Sequence, residues 1–323
     1  MTRLSMFLVA ALVVAPAAVA DEPATRVFLY EVRVEVPGEQ GGTGPWRLWV
    51  PIPPNLAEQT AVEVEVACDR PVSRSLEDAH GNRMLYVESA QPFVLTARWR
   101  IERREVLARN FRGAGSAALS DSERARFAPY LGSDRLAPID GEPSRLVKEV
   151  GTGIENRLRL ARSIYDYVLA NMEYKKDGQG WGRGSTEWAC SAKYGNCTDF
   201  HALFIAMSRA AGLPARFQIG FPLPPERGTG ELKGYHCWGW FYVGESGWIP
   251  VDISEARKHA ELAEYYFGSL TEDRVALTTG RDLTLSPPQA GEPLNFFVHP
   301  YLEAAGVAAM PRMAIRYEDL TGR

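Results

Sequence analysis

The chain has 323 residues, 46% apolar and 24% charged, with a formal net charge of −4. This composition excludes an extended disordered chain, and the acidic balance offers no clustered basic surface for nucleic acid. The length predicts two domains with ample material for a buried core.

Residues 1–20 read as a secretory signal peptide. Arg3 supplies the positive charge, Phe7 to Val14 the apolar run, and Ala18-Val19-Ala20 before Asp21 the small-residue cleavage site. The run is too short for a mature membrane anchor, so no stable membrane insertion after cleavage is expected, and the product should be periplasmic or secreted. Residues 21–110 then alternate with period two. Tyr30, Val32, Val34 and Val36 interleave with Glu31, Arg33 and Glu35; Phe93, Leu95, Ala97, Trp99 and Ile101 repeat the pattern. Several such strands between Gly, Pro and Asn turns predict an antiparallel β-sandwich domain with no concentrated chemistry. Residues 111–145, punctuated by Gly and Pro, read as a linker and approach.

Residues 146–323 carry the chemistry, with further strands expected near the C-terminus, for example around Asn295 to Tyr301. Leu160, Ala161, Ile164, Tyr167 and Val168 share one face of a helix. The glycine-rich segment Gly178 to Gly184 is expected to act as a flap over a cleft. In Lys193-Tyr-Gly-Asn-Cys-Thr-Asp-Phe-His201, Asn196 is an N-cap and Asp199 its cap acid. Cys197 is then the first helical residue, where free N–H groups and the helix dipole favour a thiolate. The helix stops at Gly212 and Pro214. Tyr235 to Val243 and Trp248 to Asp252 read as a hairpin. With its loop centred on residue 244, His236 and Asp252 face each other on one face and Cys237 points to the other.

A cysteine nucleophile needs a base and a group to orient that base. Cys197, His236 and Asp252 fit these roles. Each also has a plainer explanation as a core thiol, a structural histidine or a turn aspartate. His201 is a rival base, though its N–H groups are expected to serve the helix surface. Of the four cysteines, Cys68, Cys190 and Cys237 are left after Cys197, and Cys190 with Cys237 is the first disulfide to test.

Gly195-Asn-Cys197-Thr-Asp199, Gly212-Leu-Pro-Ala-Arg216, His236-Cys-Trp238 and Gly247-Trp248-Ile-Pro-Val-Asp252 together resemble the transglutaminase-like superfamily over roughly residues 150 to 255. The resemblance implies an α+β protein with a papain-like transglutaminase core preceded by the sandwich. It also implies Cys197 as nucleophile, His236 as base and Asp252 as orienting carboxylate. The backbone N–H of Cys197 is one oxyanion donor, and Tyr174, Trp181 or Trp188 a candidate for the second, with Tyr174 placed first. No cofactor is expected, and no acidic cluster near the motif suits calcium or another metal.

The expected activity is acyl transfer from a peptide or protein amide through a thioester on Cys197. Hydrolysis by a peptidase or amidase is placed ahead of protein cross-linking. The other class is a transglutaminase-like binding or structural module without turnover.

Overall fold

The computed structural model describes residues 22–37, 45–77, 79–107 and 118–320; the signal-peptide expectation lies outside them, as does part of the linker. Six strands come first: β1 (Thr25–Val36), β2 (Trp46–Pro51), β3 (Gln59–Cys68), β4 (Ser73–Leu76), β5 (Arg83–Ser89) and β6 (Phe93–Arg104). Then follow α1 (Asp121–Arg126), α2 (Glu142–Val150), α3 (Arg157–Asn171), β7 (Glu173–Tyr174), α4 (Thr186–Ala192), β8 (Tyr194–Gly195) and α5 (Cys197–Ala210). The remainder is β9 (Ala215–Pro222), β10 (Thr229–Glu231), β11 (His236–Tyr242), β12 (Trp248–Val251), α6 (Ile253–Lys258), β13 (Arg274–Thr279), β14 (Tyr301–Ala304), β15 (Val307–Ala309) and β16 (Arg312–Asp319). Among the described residues no helix is long and apolar enough to cross a membrane.

The period-two pattern becomes two antiparallel sheets, ordered β10-β16-β1-β6-β3 and β15-β14-β2-β5-β4. Phe28, Tyr30, Val32 and Val34 of β1 and Leu95, Trp99 and Ile101 of β6 face inward, fully or almost fully buried, as alternation requires of a sheet covered on one face. The C-terminal strands depart from the expectation for residues 146–323. β16 pairs with β1, Tyr317 opposite Tyr30, and β14 pairs with β2, Leu302 opposite Leu48. The chain therefore leaves the sandwich, builds the core and returns to complete both sheets, because β1 and β2 would otherwise each present an unpaired edge. Asn295 to Tyr301, expected to be strand, is irregular up to Tyr301. The expected linker holds α1, capped by Ser120 and Glu123, and the start of α2.

The core is α+β. Its sheet runs β12-β11-β9-β13 with all pairs antiparallel. α5 lies against it, and every residue from Cys197 to Arg209 is buried. A helix covered on all sides is a central one. Gly220 of β9 stands opposite His236, and a Cβ there would fall 1.8 Å from the carbonyl oxygen of Val275 in β13. Only glycine lets β13 come this close, at the point where its register shifts between Ala276 and Thr278.

The sandwich grips the segment leading into β13 in three places. Gln59 reaches from β3 to bond both backbone groups of Ala276, accepting from its N–H at 2.8 Å and donating to its carbonyl at 3.0 Å. Val106 and Leu270 exchange backbone hydrogen bonds, and the buried Arg26 pairs with Asp273 at 2.7 Å and with Asp319.

Candidate active site

Cys197 opens α5. The Oδ1 of Asn196 accepts the Thr198 N–H at 2.9 Å and the Asp199 carboxylate accepts the Asn196 N–H at 3.0 Å, closing the cap that the sequence predicted. The thiol is 2% exposed. It is held well below the ordinary thiol range by a hydrogen bond from Cys237, against the cost of burial, and by the hydrogen bond and positive charge of His236.

His236 begins β11. Its Nε2 lies 2.7 Å from Oδ2 of Asp252, which leaves Nδ1 as the ring nitrogen free for the thiol. Burial works to lower the imidazole, but the charge and hydrogen bond of Asp252, then those of Cys197, raise it to about 10. A depressed thiol beside a raised imidazole favours a thiolate–imidazolium pair.

Asp252 is fully buried and every lone-pair direction is used. Oδ2 accepts from His236 and from Arg274 Nη1 at 3.0 Å; Oδ1 accepts from the Ser254 hydroxyl and the Glu255 N–H, both at 3.2 Å. Burial would raise this carboxyl, but His236 and then Arg274 hold it well below the usual carboxylate range. Asp252 thus caps α6 with one oxygen and faces His236 with the other.

The hairpin register differs from the expected one. Gly239 pairs with Val251 and Tyr242 with Trp248, so the loop is centred one residue further on, and Asp252 falls diagonal to His236. A 3₁₀ turn at Gly244–Ser246, closed by Gly247 at φ 68°, takes up the extra length. The displacement is two positions across the ladder, an even number, so both side chains still share a face.

The same alternation brings Cys237 to the face covered by α5. Its Sγ lies 3.7 Å from Nδ1 of His201 and 3.9 Å from the Thr198 hydroxyl, and burial together with its hydrogen bond to Cys197 keeps it protonated. Cys190 belongs to a different neighbourhood, on α4 near Glu142 and Arg145 of α2. The four cysteines are free, so the expected Cys190–Cys237 bridge is not formed: Cys237 is buried beside His201 and Thr198, whereas Cys190 is half-buried on α4 among the charges of α2.

His201 is not at the helix surface as expected; it is fully buried. Its Nδ1 donates to the Cys197 carbonyl at 2.7 Å and its Nε2 accepts the Ile253 N–H at 3.1 Å. Both nitrogens are committed and burial lowers the ring's affinity for a proton. It is a strut between the first turn of α5 at Cys197 and the residue after Asp252.

His236, Asp252 and Glu255 also bring three potential ligand atoms within 4.8 Å of one another. The arrangement does not suit a cation, because His236 and Asp252 bond each other, Arg274 already neutralises the carboxylate, and Glu255 pairs with Lys258.

Residues 144–253 match the family described as "Transglutaminase-like superfamily". They form a transglutaminase-like core. An uncharacterized protein of Haemophilus influenzae is 30% identical over 183 residues, 47% of this chain. The chain spans about half the length of that curated relative, the match covering 50% of it. A candidate cysteine protease from Cytophaga hutchinsonii has the same fold, with TM-score 0.63 and 16% identity over 93% of this chain and 92% of that one. The likeness therefore extends over the sandwich as well as the transglutaminase-like core.

Within the transglutaminase-like core the three candidate oxyanion donors separate clearly. The indole N–H of Trp181 is given to the Gly178 carbonyl at 3.1 Å and that of Trp188 to the Tyr194 carbonyl at 2.9 Å. An indole has one donor, so neither is free in this structure. Tyr174 lies in the short parallel pair β7–β8, opposite Gly195 and so two residues ahead of Cys197 in the partner strand. Its hydroxyl has no hydrogen-bond partner among the described residues, and burial followed by the charge of Cys197 keeps it protonated. Tyr235, which the sequence did not single out, brings a second hydroxyl to the same helix end, accepting from Asn196 Nδ2 at 3.1 Å. Its place directly before His236 is the one signal that marked it.

Asp199 ties the glycine-rich segment to the transglutaminase-like core. Besides Asn196 it accepts from the backbone N–H groups of Gly182 (2.6 Å) and Gly184 (3.0 Å), while Arg281 bonds the carbonyls of Arg183 and Gly184, both at 2.9 Å. Any flap motion is thus confined to residues 178–181. Asp199→Ala leaves three N–H groups without their acceptor, and a loss of about 2–4 kcal/mol in denaturant titration is expected. New protease cleavage between Gly178 and Gly184 should accompany it. An uncleaved variant of wild-type stability would contradict the tether.

Proposed function

We propose that the protein is an exported cysteine-dependent acyl-transfer enzyme acting on peptide or protein amides, with Cys197 as nucleophile, His236 as base and Asp252 as its orienter. The observation that carries the reading is the gathering of the helix-capped Cys197, His236 and the buried Asp252, with His236 Nε2 2.7 Å from Oδ2 of Asp252 and Cys237, then the imidazole, lowering the Cys197 thiol. The thiolate attacks the amide carbonyl; His236 delivers its proton to the departing amine; a thioester on Cys197 results. The Cys197 N–H and the Tyr174 hydroxyl are the donors that best fit the developing oxyanion. Water as acceptor gives a peptidase or amidase, the reading placed first.

Amine transfer is favoured by one specific feature, the 2% exposure of Cys197, since a thioester shielded from water survives to meet an amine. Intact-protein mass spectrometry during incubation with glutamine-containing peptides, with and without a primary amine, tests the proposal. An acyl adduct on Cys197 with peptide cleavage or deamidation supports hydrolysis, and amine incorporation supports transfer. No adduct and no product with any peptide would favour a module without turnover. Cleavage after residue 20 on secretion would test export.

A further inference from the structure

Oδ2 of Asp252 serves two donors, His236 Nε2 at 2.7 Å and Arg274 Nη1 at 3.0 Å. Arg274 is a strand residue of β13, its side chain 4% exposed. Its guanidinium lies 4.8 Å over the ring of Trp238, itself fixed by donating to Gln218 at 2.6 Å, and its Nη2 reaches the Thr271 hydroxyl at 3.4 Å. The segment that carries it is the one the sandwich holds through Gln59, Arg26 and Val106. The Trp238 face and the Thr271 hydroxyl hold the guanidinium plane, so Nη1 meets Oδ2 from a fixed direction that a flexible ammonium would not supply.

The charge arithmetic gives Arg274 a further task. A lone buried carboxylate beside His236 would bind the imidazolium so strongly that it would be a poor acid toward the leaving amine. A second cation on the same oxygen divides that attraction. The other groups facing the pair are Cys197 and the neutral His201 from α5, the protonated Cys237 from β11 and Glu255 from α6, 3.9 Å from His236 Nε2. Tyr165 and Tyr266 stand nearby with their hydroxyls protonated, and Arg103 lies behind Arg274, paired with Glu58 at 3.5 Å. Arg274 is the cation among them that touches the carboxylate.

We propose that Arg274 is a positioning residue for acyl transfer: it locks the Asp252 carboxylate against His236 and shares its negative charge, so that the imidazolium can release its proton to the leaving amine. The proposal rests on His236 acting as the base. It is tested by NMR titration of ¹³C/¹⁵N-labelled histidine, with the His236 signal assigned by its loss in His236→Gln. Arg274→Gln should raise the His236 midpoint by about one pH unit and lower turnover about tenfold with KM unchanged. Arg274→Lys should bring the midpoint back to the wild-type position while turnover stays low, because the fork is lost. A midpoint that does not move in a folded Arg274→Gln overturns the proposal. Should that variant not fold, Arg274→Lys decides: wild-type turnover overturns it. If His236→Gln itself keeps wild-type turnover, the base assignment fails, which is a separate outcome.

Discussion

Cys197→Ala is expected to abolish turnover and covalent labelling while leaving the protein folded. The thiol is buried between His236 and Cys237, and the alanine methyl fills most of the space of its Cβ and loses only one sulfur. The cost of that loss is about 1–2 kcal/mol, and loss of the buried negative charge partly offsets it. Residual turnover, if Cys197 is the nucleophile, should fall to the background left by binding and the oxyanion donors, several orders of magnitude below wild type. Circular dichroism alongside intact-mass labelling separates lost chemistry from lost fold. A variant that still forms an acyl adduct would move the nucleophile elsewhere, with Cys237 the first place to look.

Asp252→Asn should be nearly as damaging, for two reasons. An amide nitrogen facing His236 Nε2 turns that atom into an acceptor and puts the ring proton on Nδ1, where it can no longer take a proton from Cys197. Turnover should fall by about 10³–10⁴. The second reason is the buried pair with Arg274, 3.0 Å apart. Leaving a buried guanidinium without its carboxylate costs about 3–5 kcal/mol.

The pH dependence of stability follows from the same groups. Asp252 is held below its unfolded value, so its contribution is present above about pH 4 and is lost as pH falls through the folded value. His236 is raised to about 10, so its contribution is complete below about pH 6.5 and is lost as pH rises through 10. The alkaline loss should be absent from Asp252→Asn, as denaturant titrations at pH 6 and 10 would reveal.

What the sequence disclosed was what is local. The cap at Asn196 and Asp199, the helix stop at Gly212 and the alternation of β1 and β6 are written in neighbouring residues, and the structure reproduces them. Partners far apart in the chain were not legible. Nothing near Tyr317 says that it will lie opposite Tyr30, and nothing in Asp273-Arg274-Val275 says that the arginine will meet Asp252 across the sheet. Hydrogen-bond commitments were hidden for the same reason. Trp181 and Trp188 have the right residue type for an oxyanion donor, but the carbonyls of Gly178 and Tyr194 take their N–H groups. His201 looked like a surface residue because its position on α5 says nothing of Ile253, which covers it and donates to its ring.

The alkylation rate of Cys197 by iodoacetamide, measured across pH in the wild-type protein and in His236→Ala, probes the thiolate–imidazolium pair directly. The expected result is labelling that persists below about pH 6.5 in the wild type and disappears there in the variant. A wild-type profile that rises only with an ordinary thiol midpoint of about 8.5, unchanged by His236→Ala, would contradict it.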